Sequence, residues 1–287
     1  MRNIKLTIEY DGKDFNGWQK QPNKLNIQGT IEQAIKSITG EDVELNASGR
    51  TDAGVHALGQ VANFKTNSQI PIEKFAIAIN SRLKKSIVIK KAEEVDERFH
   101  SRLNCKRKTY RYIINNSPYG TAIYRYLETH IPQKLNVEKM KKAVKYFIGE
   151  HDFKAFKASG TSSKSSVRTI YDAKIYQNGD KIYIELTGNG FLYNMVRIIA
   201  GTLVEVGLEK IEPEKIEEII KEVLSDIADD DKVNINNTFV IKNNTELIGV
   251  YSASGGNIVL DYGVELALQM GKMRKTLLVC LEQLNGL

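Results

Sequence analysis

Gly49-Arg50-Thr51-Asp52-Ala53-Gly54-Val55-His56-Ala57 sits between two alternating runs, 42–48 before it and 58–65 after it. Apolar alternation with a period of two marks strands, so this loop joins two of them. Working back, residues 4–10 alternate as well, with Ile4, Leu6, Ile8 and Tyr10 on one face. Asp11-Gly12 breaks that strand, and a polar loop runs to about Asn26. Ile31, Ala34, Ile35 and Ile38 then keep helical spacing up to Gly40. Working forward, Pro71 opens a helix containing Phe75, Ile77 and Ile79. A strand at 86–92 follows, and 93–97 reads as an acidic turn. The order is strand, helix, strand, strand, helix, strand, which is the split βαβ of a ferredoxin-like unit. The central loop holds an acid, a base, two glycines and a histidine, on a hinge outside the core. Asp52 is its candidate chemical centre. The competing reading is a turn in which Asp and Gly only satisfy backbone groups. His56 suits a hydrogen-bond partner within the loop and is not cast as a base.

The second stretch repeats the order with insertions. Residues 108–115 alternate, with Tyr110, Tyr112 and Ile114 on one face. A helix over 137–147 turns Val137, Met140, Val144 and Phe147 to one side. Strands at 168–176 and 181–187 flank Asn178-Gly179, a strong hairpin signal. Gly188-Asn189-Gly190 opens an apolar helix to about Val206 that carries Arg197, and Pro213 opens another. The glycines there either offer helix N-terminal amides to a phosphate or form an ordinary turn. The Ser/Lys/Gly-rich stretch 157–166 is either a phosphate-touching loop or a plain one. Trp18, the only tryptophan, is either an anchor for its loop or a platform for a base.

Composition narrows the partners. With 287 residues, 41% hydrophobic and 26% charged, the chain can bury one large core or two ordinary ones. No apolar run approaches the length of a membrane-spanning helix, and the first residues enter a strand without a signal-peptide core. Cys105 and Cys280 have no Cys-x-x-Cys partner, which argues against a disulfide framework or zinc site. A cytoplasmic, reducing location is expected. The net charge of +6 is unevenly spread. Residues 82–111 hold eleven Lys/Arg against four acids, 134–168 nine against three, and 209–231 three against ten. Basic stretches interleaved with Tyr110, Tyr112, Tyr119, Tyr124 and Tyr126 suit a polyanion with unpaired bases. A solvated basic face with core tyrosines is the alternative.

Five blocks in order resemble one family. They are Tyr10-Asp11-Gly12 with Phe15-x-Gly17-Trp18-Gln19; the Gly49–Ala57 loop; Lys108-Thr109-Tyr110-Arg111-Tyr112; Gly149-Glu150-His151-Asp152-Phe153; and Phe191-x-x-x-Met195-Val196-Arg197. Spread over residues 3 to about 220, they closely resemble the tRNA pseudouridine synthase A (TruA) family. The resemblance implies an isomerase that converts uridine to pseudouridine at positions 38 to 40 of the tRNA anticodon stem-loop. It implies a homodimer, no cofactor and no metal. Its catalytic aspartate maps to Asp52, its arginines near that acid to Arg50 and Arg197, and the tyrosine packing on the target base to Tyr110. Without the resemblance Tyr110 reads as core and Arg197 as a structural ion pair.

The chemistry fits the residues. Isomerisation breaks N1–C1′, turns the base and joins C5 to C1′, with no redox change. A carboxylate acts either at C1′ or on a neighbouring sugar proton, and both routes need it ionised. A free Asp, titrating at about 3.9, meets that need, and a nearby arginine would direct it. The stacked target base must first be extruded. The expected architecture is α+β: two ferredoxin-like halves, 1–104 and 105–224, whose antiparallel sheets meet over a central basic cleft, then an atypical tail, 225–287. The tail lacks the family's usual closing segment. It reads as strands at 238–242 and 246–252 and a helix over about 263–284. A divergent lineage, an appended module and an altered reading frame each account for it. The alternative function is a tRNA-binding protein of this fold, catalytically impaired by the missing segment.

Overall fold

In the computed structural model, the first alternating run becomes β1 (Arg2–Tyr10), with Ile4, Leu6, Ile8 and Tyr10 all buried. The structure describes residues 1–158 and 165–222, and the strand residues 238–243, 246–254 and 257–260. They divide into two compact units that part between Arg111 and Tyr112.

In the first unit β1 is a central strand. It pairs antiparallel with β3 (Ala57–Thr66) on one side and β4 (Ile87–Val95) on the other, and β2 (Asn46–Ala47) adds to β3. The sheet order is β2-β3-β1-β4. Helices α1 (Ile27–Thr39) and α2 (Ile72–Asn80) bury Ile31, Ile35, Phe75 and Ile79 in the same core as the β1 stripe. The ends of α1 are chemically marked: Asn26 Oδ1 accepts from the Gly29 amide at 2.8 Å, and Gly40 takes φ +76°. Ile77 of α2 faces solvent.

Two expectations change here. The strand expected over 42–48 shrinks to two residues, because side chains satisfy the preceding backbone: Glu32 Oε1 accepts from the Leu45 amide at 3.0 Å. The acidic turn at 93–97 begins as strand instead. Lys5 Nζ lies 2.9 Å from Glu93, its cross-strand partner, and Arg2 lies 2.9 Å from Glu94. Opposite charges across a strand pair favour continuing the ladder.

The second sheet runs β6-β5-β9-β8-β7. Its strands are β5 (Lys108–Asn115), β6 (Thr129–His130), β7 (Gly149–Asp152), β8 (Val167–Asn178) and β9 (Lys181–Gly188). β7–β8 and β8–β9 are antiparallel, but β5 and β6 are parallel, so this sheet is mixed where an antiparallel one was expected. The β8–β9 turn holds Gly179 at φ +57°, as Asn-Gly predicts. Helix α3 (Val137–Ala143) buries Met140 and tightens to a 3-10 turn over Val144–Phe147. Helix α4 (Met195–Gly207) starts later than expected, because Asn194 sits at φ +58° and breaks the preceding chain; α5 (Lys215–Glu222) follows Pro213.

In the tail, β10 (Thr238–Asn243), β11 (Glu246–Ser254) and β12 (Asn257–Leu260) form an antiparallel three-stranded sheet. This agrees with the two expected strands. The expected helix at 263–284 lies outside the described residues, as do 159–164 of the Ser/Lys/Gly stretch. Among the described residues, no helix is long and apolar enough to cross a membrane. The whole is a mixed α/β protein.

Candidate active site

The loop at 49–57 is held from below by its own strands. The Ser48 amide donates to the Val61 carbonyl at 2.9 Å, closing the β2–β3 ladder. Gln60 of β3 is fully buried; its Nε2 donates to the Gly49 carbonyl and its Oε1 accepts from Ser48 Oγ at 3.3 Å. A buried amide must satisfy both ends, so Gln60 dictates where the loop leaves the sheet.

A second segment clamps the loop from the side. The Trp18 amide donates to the Thr51 carbonyl at 2.9 Å, and the Gly54 amide to the Phe15 carbonyl at 3.3 Å. The Tyr10 hydroxyl lies 2.7 Å from Thr51 Oγ1, and His56 Nδ1 lies 3.0 Å from Asp11 Oδ1. Two glycines permit this approach. A Cβ on Gly12 would lie 1.8 Å from the Val55 carbonyl oxygen, and one on Gly17 2.6 Å from that of Thr51. Gly17 also stands at φ +85°, where other residues are strained. Trp18 is buried, its ring centroid 6.0 Å from that of Tyr10, so the anchor reading of Trp18 holds and the platform reading does not. The first motif, Tyr10 to Trp18, is thus a clamp for the second.

The clamp sorts the loop into two sets. Thr51, Val55 and His56 are buried, whereas Arg50, Asp52 and Ala53 are exposed. The Val55 amide donates to the Asp52 carbonyl at 3.2 Å, which curls the backbone under the carboxylate. Asp52 is therefore offered to solvent on a turn whose neighbours are fixed, with the Arg50 guanidinium two residues away. Such a group can act on a ligand without first being dug out of a core.

The remaining predicted residues lie on other elements. Tyr110 lies on β5 and is 6% exposed, so its ring is largely packed. Arg197 lies in the first turn of α4, in the second unit, half-buried. Lys108 opens one of the quoted blocks but was given no role, yet a Cβ on Gly49 would lie 3.0 Å from its Nζ, so an ammonium borders the start of the loop. Gln60 was also missed, and Asp11 stood in the first block without a role; both roles depend on tertiary contacts. Gly188-Asn189-Gly190 closes β9 and is not a helix N-terminus: Asn189 Oδ1 accepts from the Thr169 amide at 3.0 Å, and its own amide donates to the Thr169 carbonyl at 3.0 Å. In the Gly149–Phe153 motif, His151 Nε2 bonds the Ile148 carbonyl at 3.0 Å and Phe153 is fully buried. These two residues tie that motif into the fold. Among the described residues no group of His, Cys, Asp or Glu is arranged to hold a metal.

A family model described as tRNA pseudouridine synthase matches residues 6–104 and 143–230. Curated proteins agree. The chain is 53% identical over 221 residues to "tRNA pseudouridine synthase A" of Acetivibrio thermocellus, covering 77% of this chain and 91% of that protein. It is 54% identical over 221 residues to the protein of that name from Caldicellulosiruptor saccharolyticus, with the same coverage. It is 54% identical over 220 residues to "tRNA pseudouridine synthase A 2" of Clostridium perfringens, covering 77% of this chain and 90% of that protein.

Proposed function

The chain belongs to the tRNA pseudouridine synthase family, an isomerase family, and from that premise we propose that it converts uridine to pseudouridine in the tRNA anticodon stem-loop, at positions 38 to 40, with Asp52 as the catalytic group. The observation that carries the proposal is the sorted loop: an exposed Asp52 and an exposed Arg50, two positions apart, on a turn clamped by buried neighbours. A rigid presentation matters because the carboxylate must meet C1′, or a sugar proton next to it, in a narrow range of geometry. When N1–C1′ breaks, the electron pair stays on the uracil. The base then turns, C5 attacks C1′, and the proton on C5 leaves while N1 gains one. Asp52 contributes either by bonding C1′ or by removing the neighbouring sugar proton.

In this reading Arg50 and Arg197 hold the Asp52 carboxylate and the RNA backbone, and Tyr110 packs against the extruded uracil. The β2-β3-β1-β4 sheet supports a ferredoxin-like first half, 1–104; a second such half over 105–224, with 225–287 as an added tail, rests on the resemblance. That the halves meet over a basic cleft, that the chain works as a homodimer, and that it acts in the cytoplasm belong to the same proposal and rest on the resemblance.

The test uses unmodified tRNA with uridine at positions 38 to 40, the full chain, and its Asp52→Ala variant. Pseudouridine from the full chain and none from Asp52→Ala is expected. Equal yields would remove Asp52 from the chemistry. Salt-sensitive tRNA binding without any pseudouridine would point to the impaired binding protein instead.

A further inference from the structure

We propose that Asp11 and His56 form a latch that positions the Asp52 carboxylate, making both of them positioning residues for turnover. This rests on the reading of Asp52 as the catalytic group. The entry side of the loop is tied by neutral groups: Gln60 holds the Gly49 carbonyl, and Tyr10 and the Trp18 amide hold Thr51. Past Asp52 the chain runs through Ala53, whose methyl is exposed, and Gly54, at φ +76°. Neither side chain can anchor the turn, which is held there by the Gly54 amide on the Phe15 carbonyl at 3.3 Å and by the burial of Val55. The next polar side chain is His56, buried to within 5% of full exclusion, and its Nδ1 meets Asp11 Oδ1 at 3.0 Å.

Asp11 is itself well placed to bear that load. It follows directly on β1, its amide donates to the Ser86 carbonyl at 2.9 Å, and its Oδ1 also accepts from the Lys13 amide at 3.0 Å. The latch thus ties the exit of the loop to the end of a central strand. An imidazole with its proton on Nδ1 makes this bond in its neutral form. Releasing it would let the turn shift about Gly54. A displacement of about 1 Å at a reacting group can lower a rate by about 100-fold while leaving binding contacts elsewhere intact.

The test compares the full chain with Asp11→Ala, Asp11→Asn, His56→Ala and the Asp11→Ala/His56→Ala pair. Turnover of unmodified tRNA, thermal unfolding and amide hydrogen exchange at 50–56 are measured on each. Asp11→Asn keeps an oxygen to accept from Nδ1 and is the conservative rescue. The expected result is a kcat lowered by about 10- to 100-fold in either alanine variant. KM stays within about twofold, Asp11→Asn recovers most of the rate, and the pair loses no more than the worse single, as for groups acting as one unit. Exchange at 50–56 quickens in the alanine variants alone. A kcat per folded molecule unchanged in both singles, or losses that multiply in the pair, overturns the latch. If the unaltered chain makes no pseudouridine, the catalytic reading fails, and exchange decides the latch separately. Unchanged exchange in Asp11→Ala then overturns it, and quickening confined to 50–56 sustains it.

Discussion

Glycines at 12 and 17 show how a single atom can decide a site. Both lie in a motif that reads, in sequence, as a turn and a loop. Their function is visible only when the partner backbone is present, because the close carbonyls belong to Val55 and Thr51, more than thirty positions away. A comparison with Gly40 separates the two demands on Gly17. Gly40 stands at φ +76° with nothing within 4 Å of a Cβ, so Gly40→Ala meets only the left-handed backbone penalty, about 1 kcal/mol. Gly17→Ala meets that penalty and a collision with the Thr51 carbonyl. It should destabilise by about 2 kcal/mol or more, and it should lower pseudouridine formation, which Gly40→Ala leaves intact. Urea denaturation midpoints and single-turnover rates measure both. Equal behaviour of the two variants would mean that the close approach at Gly17 is relaxed without consequence.

Among the elements, those with many residues on one face were readable and the short ones were not. Ile4, Leu6 and Ile8 repeat often enough to announce β1, and Tyr110, Tyr112 and Ile114 do the same for β5. β6 has two residues and β7 has four, too few to show a period. The 42–48 run alternates yet pairs over only two residues, since Glu32 reaches across from α1 to take the Leu45 amide. β4 extends past its apolar part because its acids face cations on β1. Burial alone would push the Glu93 carboxyl up, but hydrogen bonds from Lys91 and Lys5 outweigh it and hold the carboxyl below its usual range. A carboxyl lowered on folding stabilises above its unfolded pKa, near 4.3, and that contribution fades as pH falls through the lower folded value. Glu93→Gln should therefore lose about 0.5–1 kcal/mol at pH 7. The gap to the unaltered chain should close as pH drops below about 4. Chemical denaturation across that range reads the gap directly, and a gap constant from pH 7 to 3 would deny the pair its role.

For the whole molecule, charge is the feature that composition reports and that folding redistributes. Two of the four acids in 82–111 are taken by Lys5 and Arg2 of β1, from outside the stretch. Arg102, Lys106 and Arg107 remain exposed just before β5. The proposed substrate is a polyanion, and each phosphate neutralised on binding releases condensed counterions, so affinity falls with salt in proportion to the number of contacts. If Lys106 and Arg107 each meet a phosphate, Lys106→Ala/Arg107→Ala should lower the slope of log affinity against log salt by about two. It should weaken tRNA binding about uniformly across tRNA sequences, because phosphate contacts carry no base information. Turnover at saturating tRNA should persist, since neither side chain belongs to the Asp52 loop. Filter binding at several salt concentrations gives the slope, and an unchanged slope in the double variant would move the RNA surface away from this segment, leaving the basic excess there as solvated charge.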